Sequence, residues 1–131
     1  MSTENVTLEN EEFMGEKMTD RGGELNGYFN QSSLRKVQER IGVSNGDWKR
    51  DYYFKNGSLI FVDAYFESGV QPDGTIVFSE THTTSESMYY FYQGKLIKQI
   101  DMDNKKADLS AKEIQALAKK YVSLLLQKRS I

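Results

Sequence analysis

The sequence contains no cysteine, one proline, one histidine and no long apolar run. The lack of cysteine excludes disulfides, thiol catalysis and cysteine-ligated metals. With His82 as the sole histidine, sites built from several histidine ligands are excluded, and any serine–histidine–acid triad would depend on that one residue. No stretch of about 18–20 apolar residues is present, so the sequence predicts no membrane-spanning helix. No apolar segment typical of a signal peptide follows Met1.

The charge balance argues against a general nucleic-acid binder. The 131 residues include 17 basic and 19 acidic side chains, a net charge of −2, whereas such a binder shows a strong basic excess. The first 24 residues carry seven acids against two bases and few apolar side chains, so they bury too little apolar surface to offset the entropy of ordering. We therefore predict a flexible acidic tail over residues 1–12 and a single domain over residues 13–131. Residues 13–20 are either a short helix or an extended lead-in.

The middle of the chain contains an internal repeat. Residues 52–60 recur 37 positions later as residues 89–97, with six of nine positions identical. Residues 27–34 form a weaker copy that keeps tyrosine, phenylalanine and leucine. In the first strong copy, Asn56-Gly57 lies between two apolar runs, which is the strongest short signal for a hairpin with a two-residue turn. Gln93-Gly94 is a poorer version of the same turn, so the repeat predicts tandem β-hairpins.

A two-residue turn also predicts which side chains share a face. It places Tyr53 opposite Ile60 and Tyr90 opposite Ile97. We assign the face that carries the recurring phenylalanine and leucine to the core, and expect the other face to be half covered or to form an aromatic surface. The predicted core face carries Tyr52, Phe54, Leu59, Phe61, Tyr89, Phe91 and Leu96. The predicted opposite face carries Tyr53, Ile60, Val62, Tyr90 and Ile97.

The flanking segments complete an α+β architecture. Residues 34–41 have helical spacing, but a turn at residues 43–46 favours a strand–turn–strand arrangement. Residues 68–87 begin as a loop around a Pro-Asp-Gly turn. Near the C-terminus, Ser110 and Glu113 fit a capping box, and an apolar stripe from Ile114 to Leu125 follows the helical period. We predict an antiparallel β-meander of about five or six strands, built from tandem hairpins, with this C-terminal amphipathic helix packed on one face.

Candidate chemistry is sparse. His82 lies among hydroxyl and carboxylate side chains that could serve a general base, but these residue types are also ordinary for an exposed strand. Residues 101–108 resemble a calcium loop only superficially, because Lys105, Lys106 and Lys112 occupy the positions that need an oxygen ligand, glycine and glutamate. We predict no catalytic residue, no metal site and no cofactor. Exposed aromatic residues stack on sugars or anchor protein partners, so the candidate binding surface comprises Trp48, Tyr53, Tyr90 and His82, with the 67–87 loop as a further contact region.

The repeated hairpins, the polar start and the closing helix resemble small secreted bacterial lipoprotein domains of unassigned function. The hairpins also faintly resemble tyrosine- and glycine-containing repeat modules such as YD or MORN-type repeats. This resemblance implies a non-enzymatic binding domain that recognises a protein or a carbohydrate, at the cell surface or in the periplasm, with a lipid tether upstream of Ser2. Taken literally, the sequence instead describes a cytoplasmic binding or regulatory protein. A small hydrolase that uses His82 or paired carboxylates is the third alternative.

Overall fold

The protein folds as a single antiparallel meander with one long helix against it. The computed structural model describes residues 3–14, 20–102 and 109–130. Within them, seven strands pair in sequence order, each with the next. The elements are β1 (Thr3–Glu9), α1 (Asn10–Met14), β2 (Gly23–Asn30), β3 (Ser33–Val43), β4 (Gly46–Lys55), β5 (Ser58–Ser68), β6 (His82–Tyr92), β7 (Lys95–Asp101) and α2 (Ala111–Arg129). The predicted α+β meander with a C-terminal helix is confirmed, with seven strands in place of five or six.

The N-terminal segment corrects the predicted tail. Residues 3–9 form an edge strand antiparallel to β2, and Val6 and Leu8 are buried in the core. Phe13 of α1 is buried as well. The segment is acidic on average, but apolar Val6 and Leu8 alternate with polar residues. This alternation is sufficient for an edge strand, which needs only one apolar face and one neighbouring strand. Residues 13–20 are predicted to be either a short helix or an extended lead-in. Phe13 and Met14 are helical, and residues 15–19 lie outside the described residues.

Three hairpins share one end of the sheet, which we call the turn end. Each has a two-residue turn, at residues 31–32, 56–57 and 93–94, and its first turn residue has a positive φ: Gln31, Asn56 and Gln93. Gly57 and Gly94 also have positive φ, at 80° and 78°, as a type I′ turn requires. The hairpins that the repeat predicts are therefore present, and the weaker copy at residues 27–34 is a hairpin too.

A bulge in each hairpin changes the predicted register. Phe54 pairs with Leu59 as expected, but Tyr53 pairs with Phe61, so Ile60 is an extra residue. Arg35 and Ile97 are extra in the same way. The predicted Tyr53–Ile60 and Tyr90–Ile97 pairs are therefore wrong, because a turn fixes the register only as far as the first bulge. As a result Val62 faces the core and Phe61 faces the other side, the reverse of the prediction.

The bulge also explains the helix-like spacing at residues 34–41. Leu34 and Val37 lie three residues apart, yet both pack in or against the core, because Arg35 between them is the extra residue. Leu59 and Val62 repeat this spacing around Ile60. The predicted strand–turn–strand is confirmed by β3 and β4.

Substitution at Gly57 tests the turn. Gly57→Val is expected to destabilise the domain by more than about 1 kcal/mol, because a β-branched residue resists positive φ. A Cβ at this position would meet no atom within 4 Å, so the effect would come from the backbone alone. Gly57→Asn is the matched control and should lose much less, since asparagine adopts this conformation more readily. Urea unfolding midpoints of the two variants measure the difference, and equal midpoints would contradict the turn assignment.

Helix α2 covers the turn end on one face of the sheet. The Gln115 side chain donates a hydrogen bond to the Gly94 carbonyl at 2.8 Å, and Arg129 donates to the Gln31 carbonyl. The helix therefore crosses the sheet from the third hairpin turn to the first. Its N-terminus has the predicted capping box, and Leu125 lies against Gly27, where a Cβ would come within 2.9 Å of the leucine. Neither described helix is long and apolar enough to cross a membrane.

A buried ionic cluster ties the helix to the sheet. Glu39 is 1% exposed and points to the helix side. Arg50 donates to both of its carboxylate oxygens, at 2.6 and 2.9 Å. The hydroxyls of Tyr52 and Tyr121 donate to the same carboxylate at 3.0 and 2.6 Å. Burial alone would lower the pKa of Arg50, but the hydrogen bonds and charge of Glu39 hold it above the ordinary value, so the guanidinium keeps its charge.

Candidate binding surface

The sheet face opposite α2, here called the open face, carries a continuous row of aromatic and lysine side chains near the turn end. The pairing register places one member on each strand from β2 to β7. In strand order the aromatic row consists of Tyr28, Lys36, Tyr53, Phe61, Tyr90 and Lys98.

The members of the aromatic row contact one another across the strands. The ring centroids of Tyr53 and Phe61 lie 5.7 Å apart, and those of Phe61 and Tyr90 lie 4.8 Å apart. The Lys36 ammonium lies 5.3 Å from the Tyr53 ring centroid, within the range of a cation–π contact. The Lys98 ammonium lies 6.0 Å from the Tyr90 ring. The rings are partly exposed, so the row offers apolar surface and positive charge together.

The repeat and its bulge explain why these side chains align. Tyr28, Tyr53 and Tyr90 all occupy the position before the buried phenylalanine of a repeat. The residue after the bulge lies opposite each of them. Without the bulge, Phe61 would lie on the α2 side, as the sequence analysis predicted. The row is therefore a product of three equivalent hairpins.

The turn end is also free of negative charge within the repeats. Residues 28–36, 53–61 and 90–98 contain five basic residues and no acidic one, so all 19 acids of the chain lie elsewhere. The next positions inward on β4 and β5 are Asp51 and Asp63. The open face therefore carries lysines in the aromatic row at the turn end and carboxylates toward its middle.

Those inner carboxylates form a tight cluster with Glu86. Burial, followed by a hydrogen bond with Glu86 and the nearby charges, raises the pKa of Asp63 to about 7. The Tyr65 hydroxyl donates to Asp51 Oδ2 at 3.2 Å. Among the described residues, no group of histidine or carboxylate side chains is arranged to hold a metal ion. With its raised pKa, Asp63 holds its proton to higher pH than an ordinary aspartate and can use it in the hydrogen bond with Glu86.

The shared proton predicts a pH-dependent stability. Because the pKa of Asp63 is raised in the folded state, the native protein holds a proton that the unfolded chain releases, and stability falls as pH rises from about 4 to about 7. Asp63→Asn is therefore expected to match the wild type in stability near pH 4 and to be more stable than the wild type at pH 8. Solvent screening reduces the gain to about 1 kcal/mol. Chemical unfolding at both pH values measures the difference in stability between each variant and the wild type. Glu86→Gln is expected to behave like Asp63→Asn. A stability difference that is the same at both pH values would contradict a proton shared by Asp63 and Glu86.

The predicted surface residues do not all come together. Tyr53 and Tyr90 flank Phe61 in the aromatic row. Trp48 lies on the α2 face, 4.6 Å from the Phe66 ring and 39% exposed. His82 is exposed at the start of β6, paired with Ser68 at the end of the sheet away from the turns.

The connection between β5 and β6 is shorter than the predicted loop. Strand β5 runs to Ser68, and β6 begins at His82. The segment between them contains one isolated β-bridge, between Val70 and Ile76. The Gly69 amide donates a hydrogen bond to the Asn45 carbonyl at 2.8 Å, which joins this segment to the β3–β4 turn. Most of the superficial calcium loop, residues 103–108, lies outside the described residues.

Sequence reasoning missed three kinds of member in the row. Tyr28 belongs to the weak repeat copy, and Phe61 is predicted on the core face. Lys36 and Lys98 are absent from the predicted surface, which contains only aromatic residues and His82. The signal that marks the bulge in the first two hairpins is the three-residue spacing from the repeat leucine to the next core residue, from Leu34 to Val37 and from Leu59 to Val62. No protein-family model, curated protein or solved structure matches this chain, so its own geometry carries the argument about function.

Proposed function

We propose that this protein is a non-enzymatic binding module that contacts its ligand through the aromatic row. The observation that carries the proposal is the alignment of three tyrosines and a phenylalanine with two lysines across six strands of the open face. Contiguous apolar surface that is exposed to water often marks the site where a protein binds a partner. Tyrosine in particular combines a large apolar area with a hydrogen-bonding group, which favours its use in recognition.

The test compares single tyrosine variants with a matched aromatic control. Arrays of random 12-residue peptides and of oligosaccharides are the probes. Tyr53→Ser and Tyr90→Ser are each expected to lose the ligands that the wild type selects and to remain folded, because both rings are only partly buried. Trp48→Ser, which removes an exposed ring from the α2 face, should keep those ligands. Ligands that depend on Trp48 and not on the two tyrosines would overturn the proposal.

We further propose an extracytoplasmic setting, as the soluble part of a bacterial lipoprotein. The support is the resemblance of the hairpins and polar start to such domains. The encoding gene tests this proposal directly, because a signal peptide followed directly by a cysteine, upstream of Ser2, would establish the lipid tether. A gene that begins at Met1 would favour the cytoplasmic alternative.

A further inference from the structure

We infer that the ligand is an extended, acidic peptide segment of a partner protein, which adds as an eighth strand beside β7. The inference rests on the proposed function and specifies its ligand: the added strand pairs along β7 and meets the aromatic row at its edge, at Lys98 and Tyr90. The geometry that points to it is the junction of the basic turn end with an open sheet edge at Lys98, which belongs both to the aromatic row and to β7.

Strand β7 is an edge that presents apolar side chains. It pairs with β6 on one side, and among the described residues no strand pairs with its other side. Ile97 is 65% exposed, and Leu96 and Ile100 are 40% and 38% exposed. An edge strand offers unpaired backbone groups to another chain, and natural proteins usually protect such edges with charge or cover them. Exposed aliphatic residues along β7 therefore indicate an edge that a partner strand occupies.

The aliphatic side chains decide between classes of ligand. Isoleucine and leucine provide neither a flat ring for stacking nor a polar group for hydrogen bonding, so they contribute little to a sugar or a nucleotide base. Against a peptide strand, they can pack on alternate apolar side chains while the backbones pair. The β7 edge thus favours a peptide, and the neighbouring Tyr90 ring would extend its contact onto the open face.

The charge of the surface favours an acidic peptide. Lys95 and Lys98 lie on β7 itself, and the other three bases of the repeats lie at the same turn end. The opposite edge of the sheet lacks this positive charge, since β1 carries Glu4 and Glu9 and no basic residue, and Arg129 is already paired with Glu4 at 2.9 Å. An acidic strand is therefore favoured at β7 over β1.

The probes for this inference are three blocked nine-residue peptides. The first alternates glutamate with valine, the second has lysine in place of glutamate, and the third is the first with alternate backbone amides N-methylated. The wild type is expected to bind the first peptide, and to bind the other two at least about tenfold more weakly, because charge attraction and backbone pairing are each removed. Fluorescence anisotropy measures the affinities. Equal binding of the N-methylated peptide would overturn strand addition.

Protein variants then locate the site. Lys95→Glu combined with Lys98→Glu is expected to weaken binding of the acidic peptide about tenfold or more, whereas Lys112→Glu combined with Lys119→Glu, on exposed positions of α2, should leave it unchanged. Equal losses in both pairs would show non-specific charge attraction and overturn the inference. Tighter binding of oligothymidine or of an acidic oligosaccharide than of the peptide would also overturn it.

The two proposals fail in different ways. If the arrays select ligands that need Tyr53 and Tyr90 while the acidic peptide does not bind, the binding function stands and its assignment to an acidic strand is wrong. If no array ligand depends on either tyrosine, the proposed function itself fails, whatever the charged peptides do.

Discussion

Replacing Arg50 by methionine is expected to lower the free energy of unfolding by about 3–5 kcal/mol. The substitution keeps an unbranched side chain of similar length and removes the two hydrogen bonds that Arg50 donates to Glu39. The Glu39 carboxylate is 1% exposed, so its charge would remain buried without a cation. Denaturant unfolding at neutral pH measures the loss.

A second substitution separates the charge effect from lost packing. Adding Glu39→Gln to Arg50→Met removes the stranded charge and keeps a side-chain oxygen for the hydroxyls of Tyr52 and Tyr121. The double variant is expected to recover most of the lost stability, since the penalty for an unpaired buried charge exceeds that for a neutral amide. A double variant as unstable as the single one would show that packing around Arg50, and not its charge, stabilises this region.

Removing β1 is expected to produce the other large effect. Deletion of residues 1–9 exposes the edge of β2 and removes the buried side chains of Val6 and Leu8, each of which contributes about 1.5–3 kcal/mol by burial. We expect a loss of at least about 3 kcal/mol, measured as a drop in melting temperature.

A point variant keeps this prediction measurable if the truncated chain fails to fold. Leu8→Ala is expected to cost about 2–5 kcal/mol, as for other buried leucines. Glu11→Gln, at an exposed position of α1, is the control and should change stability by no more than about 0.5 kcal/mol. Wild-type stability in Leu8→Ala would mean that the N-terminal segment does not pack as a strand.

The elements that the sequence predicted are those with a strong local signal. Asn56-Gly57 marks its turn by the conformational preference of two residues, and Ser110 with Glu113 marks the start of α2 by reciprocal hydrogen bonds. Strand β1 has no such local signal. Its two core residues, Val6 and Leu8, are buried only because the segment pairs with the edge of β2. The Glu39 carboxylate in the core was equally hidden, because its partners come from β4 and, 82 residues away, from α2.

The candidate surface was predictable only in part for the same reason. Tyr53 and Tyr90 stand out because they occupy equivalent repeat positions. Their neighbour Phe61 depends on the bulge at Ile60, and a bulge reverses the face of every residue beyond it. Trp48 was grouped with the tyrosines by residue type alone, and strand alternation places it on the other face.

Because all three hairpins share the bulge, the length of the aromatic row depends on the number of hairpins in the chain. Each hairpin contributes one tyrosine and the residue opposite it, and adjacent strands lie about 4.8 Å apart. Duplicating residues 82–101, the third hairpin, would therefore extend the row by about 10 Å and move the basic edge outward with it. Proteins built on this plan could change the length of the aromatic row in whole-hairpin steps, while the Glu39 cluster continued to join β3 and β4 to α2.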